Sequence, residues 1–154
     1  LLLPTALGRQ HTEHRLTITL MVGTNNIEHD DPRRISREIN ECATLVKRLG
    51  PHSHIAICGL EYRLDKPHLN PKVYEVNQAL QYMCNNEGLS YVPSYMEQFP
   101  DSHPSDVLGR KGLHLSTWGK VQLQRRINYT NHKQTNFPYS NTGQPPPEQT
   151  YRKV

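Results

Sequence analysis

A chain of 154 residues with 34% hydrophobic content, a mean hydropathy of −0.76 and 12 prolines has room for one domain with a modest core and some chain outside it. A net charge of +4 with a pI near 9.0 allows a nucleic-acid partner without requiring one, and no apolar run approaches the roughly 18 residues of a membrane span. The odd set of cysteines, Cys42, Cys58 and Cys84, lacks CxxC spacing and falls on apolar faces of predicted elements, which excludes a complete disulfide framework and points to buried thiols and an intracellular setting.

Residues 1–15 show no regular pattern and lack the basic start and long apolar stretch of a signal peptide. The chain begins on Leu1 and reads as a piece of a longer one. Leu16 to Val22 reads as a strand. Leu16, Ile18, Leu20 and Val22 share one face, and Met21 makes its end continuously apolar, as in a buried parallel strand. Gly23 ends it and Thr24-Asn25-Asn26 turns.

Asp31 and Pro32 predict a helix start, as cap and first helical residue. Ile35, Ile39, Cys42, Ala43, Val46 and Leu49 form its apolar stripe, and Gly50-Pro51 stops it. Ile55 to Cys58 is a short apolar strand, followed by a polar loop to Leu69. Asn70-Pro71 opens a second helix with Val73, Val76, Leu80, Met83 and Cys84 inward and Gly88 as its stop. Leu89 to Val92 is the third strand, and 93–110 reads as a long loop. Ser116 caps a last helix that packs through Trp118, Val121, Leu123 and Ile127.

Periodicity vanishes after Asn128, and 129–154 reads as a disordered tail rich in Asn, Gln, Thr and Pro. The domain is therefore placed at 16–128. The histidine pairs His11/His14 and His52/His54 lack Cys or acid companions at ligand spacing, so neither a metal nor another cofactor is expected. Arg33, Arg34, Arg37, Lys47 and Arg48 are the basic residues a phosphate could meet; a solvated outer helix face accounts for them more simply.

Alternating strands and helices imply a parallel sheet between helical layers, and ligands of such sheets bind beyond the carboxyl ends of the strands. Gly23–Asn26, the loop Gly59–Arg63 and the stretch leading to His114 share that rim. Gly23-Thr24-Asn25-Asn26 at a strand end, Lys111-Gly112-Leu113-His114 before the last helix, and Val76-Asn77-Gln78-Ala79-Leu80 between them resemble the SGNH (GDSL-type) hydrolases. That family has a flavodoxin-like three-layer α/β/α fold. Its third sequence block is Gly-x-Asn-Asp and its fifth Asp-x-x-His.

The resemblance implies serine-based hydrolysis of carboxylic or acetyl esters, with a small ester as substrate. His114 would be the general base and Asn25 an oxyanion donor, with Gly23, Asn26 and Lys111 supporting them. Two departures qualify it. No Gly-Asp-Ser nucleophile block occurs, and Lys111 stands where the family has the aspartate that orients the histidine. The expectation is a partial domain without its first strand or strands, leaning on the rest of a parent polypeptide for its fold and inactive as it stands. The alternative is a non-catalytic binding or structural module, of the kind found in animal retroelement-derived polyproteins, with nucleic acid among its partners.

Overall fold

A computed structural model describes residues 16–135, with side chains to Lys133. Residues 1–15 and 136–154, with the N-terminal histidine pair and most of the expected tail, lie outside the described residues.

Three strands, β1 (Thr17–Leu20), β2 (His54–Cys58) and β3 (Ser90–Val92), form a parallel sheet in the order β1-β2-β3. Helices α1 (Pro32–Leu49) and α2 (Asn70–Glu87) make the crossovers. Ile35, Ile39 and Ala43 of α1 and Val73, Val76 and Leu80 of α2 close with Ile55 and Ile57 into the main core. The opposite sheet face, with Ala56, Cys58 and Val92, is covered by Leu123 and Ile127 of the last helix, α4 (Thr117–Thr135). The result is the expected flavodoxin-like α/β/α arrangement.

Local chemistry sets the boundaries. The Asp31 carboxylate accepts from the Arg33 amide at 2.7 Å, satisfying a donor that the first turn leaves open. Gly50 donates to the Val46 carbonyl, and Gly88 takes φ +66° at the end of α2. Ser116 Oγ accepts from Gly119 N at 3.0 Å and so caps α4, which continues past Asn128 to Thr135.

Several expectations change. The first strand is shorter than Leu16–Val22, and Leu16, Met21 and Val22 are 65%, 58% and 44% exposed. Among the described residues β1 pairs with β2 alone, so its apolar ends flank a sheet edge and find no second layer. Cys42 is exposed, because it sits on the flank of the Ile35–Ile39–Ala43 stripe. Cys58 and Cys84 are buried, and burial pushes both thiols up to about 11. The stretch 93–110 also holds structure: a short helix α3 (Tyr95–Gln98) and a 3-10 turn at Pro104–Asp106. Reciprocal caps hold both, Ser94 with Glu97 and His103 with Asp106. No helix among the described residues is long and apolar enough to cross a membrane.

Candidate functional site

The three loops beyond the carboxyl ends of the strands are tied to one another. After β1, Asn25 precedes a 3-10 turn (Asn26–Glu28). Asn26 is committed to that turn, its amide donating to Gly23 O at 3.0 Å and its side chain to Asp30 at 3.0 Å. Asn25 makes no capping bond through its side chain and is exposed.

Glu28, at the end of the turn, accepts from Arg63 Nη1 at 3.1 Å and from Lys66 Nζ at 2.7 Å. Arg63, whose side chain is only 4% exposed, also donates from Nε and Nη2 to Asp65 at 2.8 and 2.5 Å. Such a planar fork fixes geometry as well as charge. Asn70 completes the clamp, accepting from Arg63 N at 2.7 Å and donating to Arg63 O at 2.9 Å. The loop after β2 then reaches the histidine stretch. The Leu64 and Asp65 amides both donate to Gly112 O, at 2.8 and 3.2 Å. Gly112 has φ +66°, and a Cβ there would lie 2.7 Å from Leu64 Cβ, so glycine is required twice over.

His114 is exposed, with its backbone held by Gly109 N donating to its carbonyl at 2.8 Å and by the Leu108–Leu115 bridge beside it. Lys111 is exposed. Asp106, a carboxylate of the same stretch, is engaged by the His103 amide at 3.1 Å.

The Lys66 ammonium, with Arg63 beside it, holds Glu28 below its ordinary 4.5, and Arg63 holds Asp65 below 3.8. Both carboxylates have depressed folded-state pKa values. Their stabilisation is therefore present above the unfolded values and is lost as pH falls through the folded ones. Acidification below about pH 4 is expected to loosen the rim before the core. Amide exchange at Leu64 and Asp65 should accelerate, after correction for intrinsic rates, while that of β2 stays protected; unchanged Leu64 and Asp65 protection down to global unfolding would contradict this.

A second cluster lies beside the first and was not anticipated. Glu61, in the loop after β2, accepts from Tyr95 N at 2.9 Å and pairs with Arg126 Nη2. Arg126 is 3% exposed, its guanidinium carbon 5.7 Å from the centre of the Tyr95 ring. Burial pushes Glu61 up, against the pull of Arg126, and pushes Arg126 down. Glu97 accepts from Tyr91 OH at 2.9 Å and from Ser94 N at 2.7 Å. The signal for Arg126 was its register: 119, 122, 123, 126 and 127 make one inward stripe of α4, so a charge at 126 needs a buried partner.

Elsewhere, Asn77 of α2 is buried and brackets Leu60, accepting from its amide at 2.7 Å and donating to its carbonyl at 2.9 Å. This pins the chain as it leaves β2. His54 is the first residue of β2. Its Nε2 lies 2.7 Å from Ser90 Oγ, with the two residues starting β2 and β3 at the amino ends of the strands. Of the basic helix residues, Arg34 is neutralised by Asp30 and Glu38. No group of three His, Cys, Asp or Glu among the described residues could hold a metal ion.

The fold and rim define the class: a three-layer α/β/α protein with a parallel sheet, its exposed Asn25 and His114 on loops beyond the strand ends. Among solved structures, the chain is similar to a Streptococcus pneumonia protein provisionally described as a platelet activating factor. The TM-score is 0.61 at 21% identity, over 73% of this chain, a likeness that speaks for the fold alone. The chain spans 58% of that protein's length. No family model matches the sequence, and no curated protein matches it.

Proposed function

We propose that this chain is a partial SGNH (GDSL-type) hydrolase domain that keeps the histidine and asparagine side of an ester-hydrolysing rim but does not itself hydrolyse esters. The observation carrying this reading is the continuous tie from the Asn25–Glu28 turn through Arg63 and Asp65 to Gly112 and the His114 stretch. It joins the two motif-bearing loops through the loop between them. The fold shared with the solved neighbour is compatible with that reading.

In the family's chemistry a serine attacks the ester carbonyl, the histidine takes its proton, and the asparagine amide donates to the developing oxyanion. Here His114 and Asn25 are assigned the latter two roles. With Lys111 in the aspartate's place, an ammonium opposes the imidazolium that a carboxylate would stabilise. Hydrolysis of p-nitrophenyl acetate by the chain is expected to match that of its His114→Ala variant. A saturable rate that His114→Ala abolishes would overturn the inactive reading.

Lys111 and the missing Gly-Asp-Ser block favour a second reading, a non-catalytic binding or structural module with nucleic acid as partner. It requires affinity for single-stranded RNA at low ionic strength that falls as salt rises; no binding at low salt would remove that partner.

A further inference from the structure

A cavity of about 480 Å³ opens between the second half of α2, the β3 strand and the second half of α4. Neither Asn25, Lys111 nor His114 lines it. Its walls bring together Arg126 and Lys133, the carboxamides of Gln81, Asn85 and Gln98, and the Tyr129 ring. Among the described residues no carboxylate lines it; the acids that act on Arg126, Glu61 and Glu97, are engaged by Tyr95, Arg126, Tyr91 and Ser94 and stand outside the lining.

Arg126 is the informative member. Glu61 takes its Nη2, while its Nε and Nη1 are buried without an acceptor among the described residues. A guanidinium has only donors, so the three N–H bonds on Nε and Nη1 remain for an acceptor supplied from elsewhere. Burying them unmet is costly, and buried polar groups nearly always find partners. Lys133 sits on the same wall at the end of α4, its ammonium 4.6 Å from the centre of the Tyr129 ring. Two cations, three carboxamides and a flat apolar ring make a wall suited to a small organic molecule with one anionic end.

The geometry points to this cavity as a binding site for a small oxyanion-bearing ligand, a phosphate monoester or a carboxylate, with Arg126 and Lys133 taking the anionic group and the carboxamides the polar remainder. The Glu61 pair holds the guanidinium plane in place. The site is separate from the ester rim and does not depend on what that rim does.

The test follows the Arg126 Nε–H resonance of the 154-residue chain, labelled at arginine, during titration with inorganic phosphate, with acetate, and with chloride at matched ionic strength. A saturating shift is expected with an oxyanion and not with chloride. Lys133→Ala, at an exposed position, should leave the melting temperature unchanged and weaken binding about tenfold, the equivalent of one lost charge-assisted contact. Saturation with phosphate alone assigns a phosphate group, with acetate alone a carboxylate, and with both a general oxyanion site. A still Arg126 resonance, a shift that grows linearly without saturating, or binding indifferent to Lys133→Ala would each overturn the assignment.

Discussion

Replacing Arg126 with Met should lower the unfolding free energy by about 3–5 kcal/mol, the usual cost of removing one partner of a buried ion pair. Glu61 would keep its bond from the Tyr95 amide but lose its counter-ion in a site where burial already disfavours its charge. Against a typical total of about 5–15 kcal/mol, this is enough to make the chain marginal at neutral pH. The pH dependence gives the effect a signature. Without Arg126, the folded-state pKa of Glu61 lies still further above its unfolded value. The penalty is then absent below the unfolded pKa and grows as pH rises towards the folded one. Adding Glu61→Gln should recover most of the loss, because a neutral carboxamide can still accept from Tyr95. Urea unfolding of the two single variants and the double measures the coupling. Additive losses in the double variant would mean that the pair acts through packing alone.

Gly119→Ala should also destabilise, although in an ordinary helix interior it would gain roughly 1 kcal/mol. A Cβ at position 119 would stand 1.9 Å from the Val107 carbonyl oxygen. That carbonyl cannot easily retreat, because it accepts from Ser116 N at 2.9 Å and from Ser116 Oγ at 3.1 Å. Overpacking against backbone costs about 1–3 kcal/mol and occasionally more. The upper part of that range is expected here, since relief means shifting the start of α4 and the His114 stretch before it. A melting temperature several degrees below wild type would agree; an unchanged or higher one would mean that the contact between Val107 and the first turn of α4 is loose.

The same contacts explain what the sequence could and could not reveal. Cap chemistry is local, so Asp31-Pro32, Gly50 and Gly88 marked their helix ends. The Val73–Cys84 stripe was legible because one uninterrupted period covers the whole of α2. Continuous apolarity misled at Leu16–Val22, since it does not distinguish a strand with two covered faces from one at an edge. The Ser94–Glu97 capping box has the Ser-x-x-Glu spacing of a helix start, but Pro93 and Pro100 around it suggested a loop. Arg63 had no local signal, because Glu28 lies in the turn after β1 and meets it only once the strands are paired. The rim was therefore legible as a set of loops, and the charge network joining them was not. The roles proposed for Asn25 and His114 rest on their motifs and on that joining, with both residues exposed.

Treatment of the folded chain with a fluorophosphonate probe, followed by intact-mass measurement, tests most directly whether the His114 rim lacks a nucleophile. Ser94 and Ser116 serve as helix caps, Ser53 and Ser102 close turns, and Ser90 is buried against His54. The predicted result is no adduct on any serine. A stoichiometric adduct that His114→Ala abolishes would contradict it by revealing an activated serine within reach of that histidine.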